Sequence, residues 1–211
     1  MGIHESQSRF YENIIGRSEA FISLIFPKIK ELFPEQFENV SAHDFYLAVN
    51  KAEPSLIRTE ADELTYSMHI MVRYEIEKRL MDGSLSTKDL PNEWNRLYKE
   101  YLGIDVPCDS MGCLQDSHWS GGALGYFPSY SLGSAYGAQF LHKMKQDIDI
   151  DKLVSENRID EVTAWLTEKI HKYGMLLTPA QLIENACGEE FNADYYIEYL
   201  TEKYNKIYDL K

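Results

Sequence analysis

Apolar residues recur at three- and four-residue spacing along almost the whole chain, the period of one face of an α-helix and not of a strand. Such a chain must bury helix against helix, so the expected fold class is all-α. The spacing predicts a helix from Ser8 to about Phe33, with Phe10, Ile14, Phe21, Leu24 and Ile25 on one face and Pro27 kinking or ending it. Ser41 to Asp44 forms a capping box that opens a short helix through Val49. A long helix is expected from Thr59 to Met81, closed by Asp82-Gly83. Leu90-Pro91-Asn92 starts another, which Gly103 ends. Further helices are expected over Ser129–Gln146, Ile150–Tyr173, Pro179–Ala186 and Asn192–Tyr208, with Gly174 and Gly188 as stops. Trp94, Trp165, Tyr195, Tyr199 and Leu200 are expected in the core, and His43, His142 and His171 at the surface or in packing. Residues 104–127 carry Pro107, Gly112, Gly121, Gly122 and Gly125 without any period, and long loops in compact domains often serve function. No repeat or linker divides the sequence, so residues 1–211 are expected to form a single all-helical unit.

Charge narrows the partners. The 211 residues hold 21 basic and 34 acidic side chains, a formal net charge of −13. That argues against nucleic acid and against an anionic membrane, both of which select a basic face. Cys108, Cys113 and Cys187 are too few and too irregular for a disulfide framework and are expected to be buried free thiols. With no leader and no apolar run of membrane-spanning length, the chain is expected to be soluble and cytoplasmic.

Three stretches carry candidate chemistry. In the first dozen residues, His4, Glu5, Gln7 and Arg9 bring four polar groups within six positions. Glu5 is an acceptable zinc ligand beside two histidines, whereas His4, adjacent in sequence, cannot share its helical face. Solvated charges on a frayed end are the plain alternative. In the second stretch, Arg58 presents a planar two-point fork suited to a carboxylate, at the start of a helix whose dipole favours an anion. A first-turn ion pair with Glu60 or Asp62 is its structural alternative. Downstream, Asp62, Tyr66, His69, Arg73 and Glu77 recur as one stripe, with Leu64, Met68, Met71 and Val72 beside it. The wall of a cleft and a solvated outer face are both open readings. In the third stretch, Leu114 to Tyr130, glycines allow another backbone to approach closely, and His118, Tyr126 and Tyr130 supply neutral or cationic hydrogen-bond donors. A glycine-rich turn packing aromatic rings remains open there too.

Taken together these stretches resemble the carboxypeptidase Taq family of zinc metallocarboxypeptidases. The likeness rests on His4-Glu-Ser-Gln7, on Ile57-Arg-x-x-Ala-Asp62, and on His118-Trp119 running into Gly125-Tyr-Phe-Pro-Ser-Tyr130, with Leu90-Pro-Asn-Glu-Trp-Asn95 between them. The resemblance implies a helical zincin-like (neurolysin-like) peptidase fold and removal of C-terminal residues from peptides. It implies Glu5 as a Zn2+ ligand, with His4 and Gln7 beside the substrate, Arg58 as the anchor of the substrate carboxylate, and His118, Tyr130 and Tyr126 as catalytic donors. One departure is plain: no His-Glu-x-x-His occurs in the sequence, so two ligands and the general base of the family are absent from these residues. The chain is therefore expected to be the C-terminal half of such a catalytic domain, inactive alone and not retaining zinc. Cobalt and manganese would also suit a two-His-one-carboxylate site. The alternatives are a non-catalytic helical fragment that self-associates, or one half of a split peptidase. A peptide C-terminus is the expected substrate, and a second copy (a homodimer) or the missing N-terminal half the expected partner.

Overall fold

The computed structural model describes residues 1–210. Among these the chain forms ten α-helices and no strand, as the periodicity requires. They are α1 (Gly2–Arg9), α2 (Glu19–Leu32), α3 (Ala42–Val49), α4 (Tyr66–Met81), α5 (Leu90–Leu102), α6 (Pro128–Asp147), α7 (Ile150–Ser155), α8 (Ile159–Lys169), α9 (Pro179–Cys187) and α10 (Asp194–Tyr208). No described helix is long and apolar enough to cross a membrane.

Local capping chemistry explains several boundaries. Ser41 and Asp44 close a reciprocal capping box at the start of α3. Pro91 sits in the first turn of α5, and Gly103, at φ +73°, ends it in the left-handed region. α9 follows the same logic with Thr178 and Gln181 as its box and Gly188 as its stop. Other boundaries differ from the sequence expectation. The predicted Ser8–Phe33 helix starts instead at Gly2, continues as a π-helical turn over Phe10–Ile15, and breaks before α2. Gly16 closes the π turn, and Ser18 then caps α2 by accepting from the Phe21 N–H. Pro27 does not end α2, which runs on to Leu32; Pro27 and Ser23, whose carbonyl loses its usual donor, are both exposed. The buried residues of α2 are Ile22 and Phe26 rather than Phe21, Leu24 and Ile25. The Ile150–Tyr173 helix is split between α7 and α8, with Asn157 at φ +57° in the join.

The described residues group into two compact units. One comprises residue 1 with 51–131; the other comprises 2–50 with 132–210. The second unit is discontinuous in sequence, which is why no linker marks the division. In the first unit Val72, Ile76, Trp94, Leu97, Tyr98 and Leu102 form the core between α4 and α5. A smaller cluster of Ala61, Tyr66, Ile70 and Phe127 lies under the glycine-bearing loop. The larger core of the second unit centres on Phe10, Phe140, Met144, Val162, Leu166 and Leu182. Trp94 and Trp165 are buried as expected, but Tyr195, Tyr199 and Leu200 are only half-buried on the outer helix α10. All three cysteines are free thiols; Cys113 is buried, Cys187 half-buried and Cys108 exposed, so the expectation of burial fails at Cys108.

Candidate functional site

Glu5 lies on α1, not on a frayed end. Ser6 and Arg9 on the same helix are buried. α1 approaches α6 at backbone distance because α6 is glycine there: a Cβ at Gly133 would stand 2.6 Å from the Glu5 Cβ and 2.8 Å from the Ser6 N. Gly137, one turn on, is less crowded: a Cβ there would stand 3.5 Å from the Ser6 carbonyl oxygen, an ordinary contact. The small face of α6 thus sets where Glu5 is carried. Ser8 donates to a Glu5 carboxylate oxygen at 3.0 Å. Gln7 meets His171 across a 2.8 Å hydrogen bond, and His4 is exposed. Arg9 pairs with Glu12 at 2.8 Å.

Arg58 belongs to the other unit, and its surroundings differ from both sequence readings. It lies on a 3₁₀ turn, Arg58–Glu60, not at an α-helix start, since α4 begins only at Tyr66. Asp62 explains the delay: its carboxylate accepts from the Thr65 N–H (2.9 Å) and hydroxyl (2.6 Å), holding a tight turn ahead of the helix. The partner of Arg58 is neither Glu60 nor Asp62 but Asp116. Arg58 Nη2 and Nε donate to Asp116 Oδ1 at 2.7 and 3.1 Å, and Nη1 donates to the Tyr66 hydroxyl at 2.9 Å. The guanidinium also lies 4.6 Å from the centre of the Tyr130 ring.

Asp116 holds two buried arginines at once. Arg73 Nε donates to its other oxygen at 2.7 Å, and Arg73 lies 4.6 Å over the Trp94 ring. Gln115 completes the arrangement. Its Oε1 accepts from the Arg58 N–H and from Arg73 Nη2, both at 2.9 Å, while its Nε2 donates to the Leu56 and Met111 carbonyls. Burial opposes ionisation of Asp116, yet the hydrogen bonds of Arg58 and the charge of Arg73 outweigh it and hold the carboxyl below its ordinary range. Burial likewise disfavours the Arg58 charge, and Asp116 more than compensates, so the guanidinium pKa is raised. His69 is the converse case: burial, then the charges of Arg73 and Arg58, push it down to about 3, so it is neutral. Its Nδ1 meets the Tyr98 hydroxyl at 3.1 Å, and Nε2 has no hydrogen-bond partner.

The stripe of α4 is therefore interior. Asp62, Tyr66, His69, Arg73 and Glu77 are all buried, and the solvated reading falls. Of the residues beside the stripe, Leu64 and Met71 are exposed, Met68 is half-buried and only Val72 lies inside. Glu77, at its far end, accepts a hydrogen bond from the Gly125 N–H and so fastens the glycine-bearing loop. On that loop His118 Nε2 and the Tyr130 hydroxyl are 3.0 Å apart. The imidazole sits 4.4 Å from the Phe127 ring, 5.6 Å from Tyr126 and 5.8 Å from Tyr130. Arg58, distant in sequence, thus converges with His118, Tyr126 and Tyr130 within residues 51–131.

The sequence carries these motifs in the order and spacing of one peptidase family, and the family model for the carboxypeptidase Taq (M32) metallopeptidases matches residues 1–204. The chain belongs to that family. Carboxypeptidase 1 of Bacillus subtilis (strain 168) is 49% identical over 209 residues, covering 99% of this chain and 42% of the relative. Among solved structures, the BsuCP crystal structure superposes with a TM-score of 0.95 at 49% identity over 98% of this chain and 42% of its own. The M32 carboxypeptidase from Deinococcus radiodurans R1 gives 0.93 at 38% identity, covering 99% of this chain and 42% of that one. The chain therefore spans about two fifths of the length of these relatives. Its all-helical architecture is that of the M32 carboxypeptidase structures.

A metallopeptidase family implies a metal. No group of three or more His, Cys, Asp or Glu side chains among the described residues is placed to hold a metal ion. Sequence reasoning identified the motif residues and missed what positions them: Asp116 and Gln115, although inside the Leu114–Tyr130 stretch, as the clamp on both arginines, and Gly133 as the seat of α1. The Gly133-x-x-x-Gly137 spacing was the available signal for close helix approach.

Proposed function

We propose that these residues supply the substrate-side wall and one metal-ligating carboxylate of a zinc metallocarboxypeptidase, and that on their own they do not hydrolyse peptides. The observation that carries the reading is the Arg58–Asp116 clamp stacked on Tyr130 beside His118. A guanidinium has five N–H donors, and the hydrogen bonds to Asp116 and Tyr66 engage three of those of Arg58. The remainder, on a side chain that cannot swing away, would receive the terminal carboxylate of a peptide. His118 and Tyr130 would then donate to the carbonyl oxygen of the scissile bond, with Tyr126 lining the loop beside them. Glu5 would be the carboxylate ligand, with Gln7 and His4 near it, and two further donors would come from outside the 211 residues. Zinc, when bound in such an enzyme, acts as a Lewis acid that activates water; cobalt and manganese accept the same donor types.

An exposed apolar face supports a need for partners. α4 turns Met71, Tyr74 and Met81 outward, 42%, 48% and 61% exposed, with Leu64 at 40% just before it. A face of this kind favours either a second copy of the chain or a further segment that completes the domain. A soluble, cytoplasmic setting is consistent with the acidic composition.

The test is amino-acid release from an N-blocked dipeptide and a longer peptide by the purified chain with added zinc, with bound metal quantified in parallel. No turnover and no stoichiometric zinc are expected, and activity should appear when the unmatched segment of the Bacillus subtilis relative is supplied as a second chain. Turnover by the chain alone would overturn its incompleteness. No activity after complementation would favour a non-catalytic, self-associating role, which light scattering at micromolar concentration would register as a dimer.

A further inference from the structure

The second unit contains a cavity that the peptidase reading does not use. It has a volume of about 560 Å³ and is lined from the π-helical turn, α2, α3, α6, α7 and α10, all within residues 2–50 and 132–210. That volume falls in the roughly 300–1,000 Å³ range of small-molecule sites. Its floor is apolar: Ile15, Leu141, Ile150 and Val154 are buried beneath it, and the Tyr199 ring forms part of the wall.

Its rim has the opposite sign to the rest of the protein. Arg17, Lys145, Lys203 and Lys206 surround the opening, against only two acids, Glu19 and Asp151. The whole chain has 21 basic side chains against 34 acidic, so a rim with a cationic excess is a local inversion. The four cations are not equivalent. Lys206 is braced by Glu19 at 2.7 Å, and that carboxylate also takes His43 at 3.0 Å. Lys203 Nζ rests 3.4 Å from the Tyr199 hydroxyl. Arg17 and Lys145 have no side-chain hydrogen bond or ion pair with any described residue.

We infer that this cavity binds an anion carrying an apolar tail: the tail lies on the Leu141–Val154 floor while Arg17 and Lys145 receive the charged head. The combination is specific. An apolar floor without cations would take any hydrophobe, and cations without a floor would hold a small anion only weakly in water. Carboxylate and phosphate monoester heads share this chemistry, and the probes below separate them.

The experiment is calorimetric titration of the purified chain with octanoate, octyl phosphate, octanol and acetate at fixed low salt. One saturable site per chain is expected for octanoate or octyl phosphate, with octanol and acetate at least about tenfold weaker, a difference of ~1.4 kcal/mol. Whichever head binds tighter identifies it. Arg17→Glu with Lys145→Glu should weaken the tighter probe by about tenfold or more, since each reversal turns attraction into repulsion. The milder Arg17→Gln with Lys145→Gln should show the same direction if the reversed pair fails to fold. No saturable binding, equal affinity for octanol, or unchanged affinity in the charge variants would each overturn the inference. None of these readouts requires peptidase activity or a metal.

Discussion

Helices α4 and α5 pack against one another in the same unit, yet they obey opposite rules. α5 is built in the ordinary way. Trp94, Leu97, Tyr98 and Leu102 point inward, Arg96 and Glu100 pair on its outer face, and Pro91 and Gly103 mark its ends. α4 turns His69, Arg73 and Glu77 inward and leaves Met71, Tyr74 and Met81 in solvent. An interior of charge is a poor way to gain stability. Taking two charges out of water costs about what their attraction returns, and apolar replacements of such groups are often neutral or stabilising. Where a fold retains buried arginines on a shared carboxylate, with every hydrogen bond directed, the arrangement specifies positions. Here it fixes Arg58 beside Tyr130, two residues proposed to meet the substrate.

The largest expected effects would break the comparison if they failed to differ in kind. Asp116→Ala leaves two guanidinium charges buried without a counter-ion and should cost about 3–5 kcal/mol of unfolding free energy. Leu97→Ala on α5 removes only packing and should cost about 2–5 kcal/mol. Urea denaturation measures both, and pH separates them. The folded Asp116 carboxyl titrates below its unfolded value, so its contribution is present above the unfolded pKa and is lost as pH falls through the folded one. Leu97→Ala should keep that acid dependence and Asp116→Ala should lose it. A loss below about 1 kcal/mol in Asp116→Ala would mean the charges are not sequestered.

A second prediction sharpens the contrast at His69. Folded His69 stays neutral down to about pH 3, whereas the unfolded residue takes up a proton near 6.5. Between those values the unfolded state binds more protons, so stability falls as pH is lowered, by up to ~1.4 kcal/mol per pH unit for one group. His69→Gln should flatten that slope while Leu97→Ala preserves it. An unchanged slope in His69→Gln would show that the imidazole is charged in the fold or solvated.

The smallest effect concerns the end of the stripe. Glu77→Ala removes the acceptor for the Gly125 N–H and should cost about 1–3 kcal/mol. Its sharper signature is local: amide exchange at Gly125 should accelerate while the amides of α5 are unaffected. Uniform acceleration across the unit would remove Glu77 from its role as the fastening of the loop.

What could be read from the sequence divides along the range of the physics. Caps and stops were legible because their chemistry is local: Ser41 and Asp44 are three residues apart, and Gly103 and Gly188 need only their own backbone conformation. The all-α class was legible because helical period is written into spacing. The motif residues Glu5, Arg58, His118 and Tyr130 were legible as residue types in order, with the family resemblance supplying their assignment. Arg58 beside Asp116 was not, since 58 residues separate them and Glu60 and Asp62 offered nearer carboxylates. The facing of α4 was equally hidden. Its polar and apolar stripes both repeat at helical spacing, so the pattern names two faces without saying which is inside. Burial is a property of neighbours. Only when α5, the Gln115–Asp116 turn and the glycine-bearing loop closed around α4 did His69 and Arg73 become interior and Met71 surface. In the same way, Gly133 acquires its meaning only when α1 lies against it. Sequence by itself determined the helices and the chemistry they carry; tertiary packing decided which of those groups meet, because pairing across tens of residues depends on the whole fold and not on any local preference.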